Sequence, residues 1–372
     1  MKNILASLNC SFLVAILLGA VMFTSCSKVN VQKLLEEGKA AFYKADYVEA
    51  KNAFVKCADE GNSQGQFWLA FTTIRTGGHY SDTDTLAMAK EEVDKYIYDL
   101  YKKSADQNDG DGYYGLYTCY MQGINVVKDE TKAAEYLDKA VELNSAEAKA
   151  DRGNQLVQKG GAENIQKGIV MIKESAEVCP TGKAVLGACY MDGTGVEADV
   201  NKGLELLKGA AKQNSLWANT VLARIYYFGI KKIPANPEKA FEYALKGMND
   251  GVIHYILSQC YYNGKGTKKD VARAAYQAQR SAECGYVLGQ SWWAAFCASG
   301  YGTQAEAFDW YMKAANQGDR FSICAVGEYL LKGTAGKTDY AKAKKYLQKA
   351  ASMGSTEAQE LLQTYAWALS DY

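Results

Sequence analysis

A six-residue phrase recurs nine times between Lys56 and Gly354, and its spacing restricts the chain to a stack of equivalent units. A cation or small residue comes first, small residues follow, and most copies end on Gly or Asn. They read KCADEG from Lys56, KSADQN from Lys103, KAVELN from Lys139, ESAEVC from Glu174, GAAKQN from Gly209, KGMNDG from Lys246, RSAECG from Arg280, KAANQG from Lys313 and KAASMG from Lys349. Apart from the first interval of 47, successive starts differ by 33 to 37 residues. A period near 35 is that of a solenoid, in which one supersecondary unit buries its apolar face only by stacking on its neighbours. A second phrase keeps the same beat: Tyr120-x-x-Gly123, Tyr190-x-x-Gly193-x-Gly195, Tyr226-x-x-Gly229, Tyr261-x-x-Gly264-x-Gly266, Cys297-x-x-Gly300-x-Gly302 and Leu330-x-x-Gly333.

Each unit reads as a helical hairpin. Glycine after a run of helix formers accepts the left-handed conformation that ends a helix, and Gly-x-Gly then turns the chain. Helix A carries small-x-x-x-Leu-Gly-x-x-Tyr, clearest from Gly182 to Tyr190, where positions 0, 4 and 8 share a core face. Helix B carries Ala-x-x-Tyr/Leu-x-x-Lys-Ala-Ala, as from Tyr340 to Ala351, with alanines that permit close packing. The 3 prolines, Pro180, Pro234 and Pro237, fall at repeat junctions, so long helices are unobstructed.

These phrases resemble the Sel-one-like repeat, a relative of the tetratricopeptide repeat, best at Ala176 to Gly195 and Lys313 to Gly333. The likeness covers about residues 100 to 365. The opening hairpin, Leu35-x-x-Gly38-x-x-x-Phe42 followed by Asp46-Tyr47-x-x-Ala50-x-x-x-Phe54, looks more like a plain tetratricopeptide unit, and Ile74 to Gln107 departs from both patterns. The resemblance implies an all-α, right-handed α-solenoid of helix-turn-helix repeats with about nine hairpins. The organisation expected is a signal peptide at 1–25, a tether at 26–30, tetratricopeptide-like repeats at 31–107, Sel-one-like repeats at 108–354 and a capping helix at 355–372, helical from Ser355 to Leu369.

Lys2 precedes an apolar run from Phe12 to Phe23, too short for a membrane span and suited to a signal-peptide core. Thr24-Ser25-Cys26 resembles the bacterial lipoprotein processing box, which implies lipidation of Cys26; an uncleaved anchor and ordinary secretion are the alternatives. By the same analogy Ser27, where inner-membrane lipoproteins carry Asp, points to a chain lipid-anchored in the bacterial cell envelope, at the outer membrane and facing the periplasm. Behind residue 25 the chain carries 41 basic and 42 acidic residues, a balance that does not suit a nucleic-acid partner.

Eight cysteines lie beyond Cys26: Cys57, Cys119, Cys179, Cys189, Cys260, Cys284, Cys297 and Cys324. Some secreted members of the family staple each repeat with a pair eight residues apart, a spacing absent here. Cys119, Cys189 and Cys260 share one repeat position, and equivalent positions of stacked repeats are separated by more than the roughly 7 Å that a disulfide spans between Cα atoms. Buried small apolar residues is the favoured reading, with Cys179–Cys189 or Cys284–Cys297 bridges as the alternative. The two histidines, His79 and His254, stand far apart with no ligand-spaced partner, and no phosphate loop or nucleophile elbow occurs. Neither an enzyme nor a cofactor is expected.

In helix A, positions 2, 6 and 9 lie opposite the core arc, and alignment with tetratricopeptide units puts that stripe on the concave face. It reads Phe67, Phe71, Ile74; Tyr114, Thr118, Met121; Ala150, Asn154, Val157; Ala184, Ala188, Met191; Thr220, Arg224, Tyr227; Tyr255, Gln259, Tyr262; Ser291, Ala295, Ala298; Cys324, Glu328, Leu331. The candidate site is Tyr114, Arg224, Tyr227, Tyr255, Gln259 and Tyr262, with the last five expected to form one patch. A protein or peptide would take apolar contact from the rings and backbone hydrogen bonds from Arg224, Gln259 and Asn154. The alternative is an envelope glycan stacked on Tyr114, Tyr227, Tyr255 and Tyr262. The tyrosines also suit a third, purely structural role, covering neighbouring helices.

Overall fold

The computed structural model describes residues 30–76, 89–230 and 232–370. Twenty α-helices follow one another among the described residues. No strand forms there; the nearest approach is an isolated bridge between Ile230 and Ile233. Two compact units result, one ending at Ser145 and the other beginning at Ala146. The first holds α1 (Val31–Tyr43), α2 (Tyr47–Asp59), α3 (Ser63–Arg75), α4 (Lys90–Ala105), α5 (Gly110–Gln122) and α6 (Glu130–Glu142). The second holds α7 (Ala146–Lys159), α8 (Ala162–Val178), α9 (Pro180–Asp192), α10 (Val200–Lys212), α11 (Leu216–Phe228), α12 (Pro237–Ala244), α13 (Gly251–Asn263), α14 (Val271–Glu283), α15 (Val287–Phe296), α16 (Gln304–Asn316), α17 (Arg320–Lys332), α18 (Tyr340–Ser352), α19 (Thr356–Thr364) and α20 (Ala366–Leu369). The expected all-α solenoid of helix-turn-helix repeats is what forms. Residues 1–29, with the expected signal segment and Cys26, and residues 77–88, with His79, lie outside the described residues.

The recurring six-residue phrase is the B-to-A junction. Asn144 and Asn214 adopt φ of 63° and 57°, and Gly318 and Gly354 occupy the same left-handed step with φ of 89° and 85°. The next residue, Ser145, Ser215, Asp319 or Ser355, returns its N–H to the carbonyl of Ala140, Ala210, Ala314 or Ala350 at 3.0 to 3.1 Å. That bond closes helix B. In Ser215, Asp319 and Ser355 the side chain of the same residue then caps helix A. Two residues therefore stop one helix and start the next, which is why the phrase ends so sharply. The junction at Cys179 uses another device: Cys179 is extended (φ −122°) and Pro180 opens α9.

The tyrosine phrase is the A-to-B turn. Gly123, Gly193, Gly264 and Gly333 end their helices left-handed. The chain then returns so that the N–H of Asp129, Asp199, Asn236 or Asp270 donates to the carbonyl of Tyr120, Tyr190, Tyr226 or Tyr261. Each of those donors is also the N-cap of its B helix. One turn further, a cation covers the ring: Lys132 stands 4.5 Å from the centre of Tyr120, Lys202 4.2 Å from Tyr190 and Lys239 5.2 Å from Tyr226. The repeated tyrosine thus locks its hairpin through both its backbone and its ring. Where Cys297 replaces it, the helix instead runs into a π-turn from Cys297 to Tyr301 with Gly300 at φ 104°.

Helix packing fills in the small residues. At the start of helix A a Cβ on Gly112, Gly182 or Gly289 would come within 2.0 to 2.6 Å of Ser104, Ser175 or Ser281 on the preceding B helix. Glycine here meets the serine of the KSADQN, ESAEVC and RSAECG phrases. Inside the α9–α10 hairpin Gly187 and Gly203 form a second close crossing, with a Cβ on Gly187 falling 2.9 Å from the Gly203 carbonyl oxygen. Within each unit successive A helices touch across repeats, as α3 with α5 and α11 with α13, while no comparable contact joins successive B helices. The A helices are therefore the inner row of each unit.

Seven of the eight cysteines beyond Cys26 are buried, none is paired, and Cys284 alone of the eight is exposed. Burial pushes the Cys119 thiol up to about 12 and those of Cys189, Cys260 and Cys297 up to about 11. They fill space as small apolar side chains, and the Cys179–Cys189 and Cys284–Cys297 bridges do not form. An aromatic disulfide reagent should label Cys284 alone of these eight in the native protein and the other seven only in denaturant. Rapid native labelling of a second site in the set would contradict this packing.

Two expectations change. The terminal helix breaks at Tyr365 (φ −105°), so that α20 folds against α18 and Lys344 donates to the Leu369 carbonyl at 3.1 Å. The stripe residues Phe67, Phe71 and Ile74 are packed into the first unit's core, where Phe67 lies 5.6 Å from Trp68 and from Phe71.

Candidate partner-binding face

The inner row exposes less than positions 2, 6 and 9 promise. Position 2 is buried in most repeats: Ala150 and Ala184 are wholly enclosed, as nearly are Thr220, Ser291 and Cys324, and Leu331 at position 9 is enclosed too. Thr220 is spent on structure, since its hydroxyl accepts the Met248 N–H at 2.8 Å where the short helix α12 has already ended. Position 2 is the fifth residue of helix A, in its second turn, and it emerges only where a tyrosine stands there, as at Tyr114 and Tyr255.

Tyr114 belongs to the first unit, half-buried against its core with its ring 5.6 Å from Tyr117. The remaining candidates lie in the second unit, on the adjacent inner helices α11 and α13. Tyr227 and Tyr255 meet edge to face at 6.0 Å. Tyr255 meets Tyr286 in the same way at 5.6 Å, and Tyr227 also meets Phe228 at 4.8 Å. The edge contact holds the two rings against each other. Burial raises all three phenols, Tyr227, Tyr255 and Tyr286, above their ordinary range, and Arg224 partly opposes the rise at Tyr286. They therefore stay neutral donors and acceptors at any physiological pH. Arg224 is exposed beside them. Gln259 is half-buried one turn past Tyr255 on α13, and its side-chain and backbone oxygens accept from the Asn263 amide at 3.4 and 2.9 Å. Its own Nε2 is the donor an incoming carbonyl would use.

Tyr262 does not join that group. Two turns beyond Tyr255, its ring meets Trp292 at 5.0 Å and Phe296 at 5.9 Å, and Phe296 in turn meets Tyr301 at 5.3 Å. The Trp292 indole N–H is anchored on the Ser258 hydroxyl at 2.9 Å, and Lys269 stands 5.5 Å from the Tyr262 ring. The single patch expected from Arg224 to Tyr262 is thus two aromatic groups, separated along α13. Helical pitch explains the division: seven residues advance the chain by about 10 Å, further than neighbouring rings reach.

Tyr286, Trp292 and Tyr301 are the residues that the stripe missed. Tyr286 precedes α15, directly after the left-handed Gly285, outside any helical periodicity. Trp292 falls on the core arc of α15, although half-buried side chains on that arc show an edge to solvent. Tyr301 closes the π-turn. Tyr286 and Tyr301 sit at turns, which periodicity alone does not register, and Trp292 was assigned to the core by its position on the arc.

Among the described residues no three His, Cys, Asp or Glu side chains gather at metal-binding distance. His254 is buried with Nδ1 2.6 Å from the Gln277 side-chain oxygen, a packing role.

The comparisons with known proteins match this architecture. The Sel1 repeat model matches residues 113–145, 183–215, 218–251, 254–286, 303–319 and 321–355. The hairpin of α7 and α8 lies outside these matches; its first helix ends on Gly160-Gly161 in place of the tyrosine phrase. No curated protein matches in sequence. Among solved structures, a protective antigen of uropathogenic Escherichia coli strains with an SLR fold is 24% identical, covering 91% of this chain and 73% of its own length at a TM-score of 0.52. A Sel1 repeat protein from Oxalobacter formigenes is 23% identical, covering 84% of this chain and 89% of its own length at a TM-score of 0.48. With six copies of its repeat on helical hairpins of the expected register, the chain belongs to the Sel1-repeat family.

Proposed function

We propose that this protein is a membrane-tethered lipoprotein of the bacterial envelope whose second unit binds an extended peptide or protein segment along its inner helices. The observation that carries the reading is the Tyr227–Tyr255–Tyr286 line, three neutral phenols in edge contact with exposed Arg224 at one side and the Gln259 amide one turn away. Rings fixed by mutual contact supply apolar area at little entropic cost, and Arg and Gln side chains meet the carbonyls of an extended backbone. Repeat solenoids of this kind commonly serve as interaction scaffolds. A glycan is the second reading, favoured by the exposed Tyr262 and Tyr301 beside the half-buried Trp292, since aromatic rings suit the apolar faces of sugars. Parallel peptide and glycan arrays separate the two: selective retention of peptides supports the first, and selective retention of glycans overturns it.

The tether rests on Thr24-Ser25-Cys26 behind an apolar run. Among the described residues no helix is long and apolar enough to cross a membrane; in the proposed reading acyl chains on Cys26 hold the repeat body at the membrane. Two or three chains would hold it stably, whereas one gives only marginal binding. Cys26→Ala should abolish metabolic labelling with fatty acid and leave the precursor unprocessed at this site. Normal acylation of that variant, or a wild-type protein whose Cys26 is unmodified, would refute the tether.

A further inference from the structure

We propose that the last inner-row step of the second unit is a pocket for one cationic side chain, a lysine or arginine of the bound peptide. A cavity of about 280 Å³ opens there, walled by Tyr311, Phe321 and Tyr329 and by the carboxylates of Glu328 and Glu357. The buried Cys324 also lines it.

The geometry follows from one helix face. Phe321, Cys324 and Glu328 stand at positions 0, 3 and 7 of the same face of α17, so a ring, a small residue and a carboxylate line up along the pocket. Tyr311 comes from α16, its ring 6.1 Å from Phe321 and 5.8 Å from Tyr329. Glu357 comes from the first turn of α19. Phe321 is 54% exposed although Tyr311 beside it is buried, so one ring of the set projects over open space.

The electrostatics select the occupant. Glu328 pairs with Lys332 at 2.6 Å on its own helix. Glu357 accepts the Ser355 hydroxyl at 3.2 Å and has no cationic partner among the described residues. The nearby Arg320 is turned to the Met353 and Gly354 carbonyls at 3.1 and 3.4 Å, away from the carboxylates. With Glu328 compensated by Lys332, Glu357 leaves one unpaired negative charge at the pocket, which disfavours an anion, and three ring walls favour a cation that carries an apolar stem, which describes lysine and arginine side chains. Cys324 and Glu328 continue the inner-row positions that Thr220 and Arg224 hold, so a peptide lying on that row would present side chains to both places. The source of the cation, a peptide, rests on the function proposed above; the pocket's preference for a cation does not.

The probe is a labelled glycine peptide with one central lysine, titrated against the full chain by NMR at low salt, beside its norleucine and glutamate counterparts. The lysine peptide should bind about tenfold better than norleucine, as a charge-assisted contact with cation–π support requires. Glu328→Gln combined with Glu357→Gln should erase that preference, and Phe321→Ala, at an exposed position with little folding role, should reduce it about threefold. Equal binding of lysine and norleucine peptides overturns the proposal, as does a preference that survives both sets of substitutions. A Tyr227→Ala/Tyr255→Ala protein should keep the lysine preference; its loss there would move cation recognition to the tyrosine line and refute the pocket. Array peptides that bind this tyrosine variant undiminished would instead refute the tyrosine line and leave the pocket standing.

Discussion

Gly187→Leu should destabilise the second unit by about 3 kcal/mol, at the upper end of overpacking costs, because the obstacle is backbone. Even a methyl group on Gly187 would fall 2.9 Å from the Gly203 carbonyl oxygen, 3.1 Å from Leu207 Cγ and 3.2 Å from Leu206 Cβ. The reciprocal contact is tighter still, with a Cβ on Gly203 only 2.6 Å from the Gly187 carbonyl oxygen. Helices α9 and α10 therefore cross at two glycines, and neither backbone can withdraw without opening the hairpin. Gly209, on the same helix α10, supplies the opposite sign. It is helical, and a methyl group there would meet nothing within 4 Å, so Gly209→Ala should stabilise by about 0.5 to 1 kcal/mol through backbone entropy alone. Urea unfolding of the two variants checks both. Equal stabilities would show that the α9–α10 crossing is looser than its geometry.

Tyr227→Ala with Tyr255→Ala should weaken an array-selected peptide by about 2 kcal/mol or more, roughly thirtyfold, with helical circular dichroism unchanged. The two rings are half-buried and lean on each other and on Tyr286, so removing both takes away the apolar floor of the proposed contact and the orientation of the third ring. Tyr227→Phe keeps the ring and removes only the hydroxyl, and should cost about 1 kcal/mol or less. Undiminished affinity in the double variant would remove the tyrosine line from the site. Loss of helical signal would show instead that these rings are core.

Helix count, hairpin order and junction chemistry were legible in the chain because each is a local matter. Asn214, Gly318 and Gly354 can stop a helix left-handed wherever they stand, and the Ser or Asp behind each can start the next. The buried cysteines were legible as well, since they recur beside core positions. The outward stripe was legible only in part. Periodicity placed Arg224, Tyr227 and Tyr255 on the stripe of two adjacent helices, where Tyr227 and Tyr255 do meet, yet it gave the same weight to Thr220, which the early end of α12 draws into a cap for Met248, and to Phe67, which sinks into an aromatic core.

What the sequence by itself determined is the repeat: a period near 35, the two turns within it and the small residues at which helices cross. Those follow from backbone conformation and side-chain size, which act over a few residues. Only the tertiary structure decided which rings meet. Tyr286 reaches Tyr255 from a junction outside any helical period, Tyr262 turns from its stripe to Trp292, and Glu357 arrives from a later helix to face Phe321 across a cavity. Such meetings depend on the offset between neighbouring hairpins, a distance set by how the whole row packs and written in no single repeat.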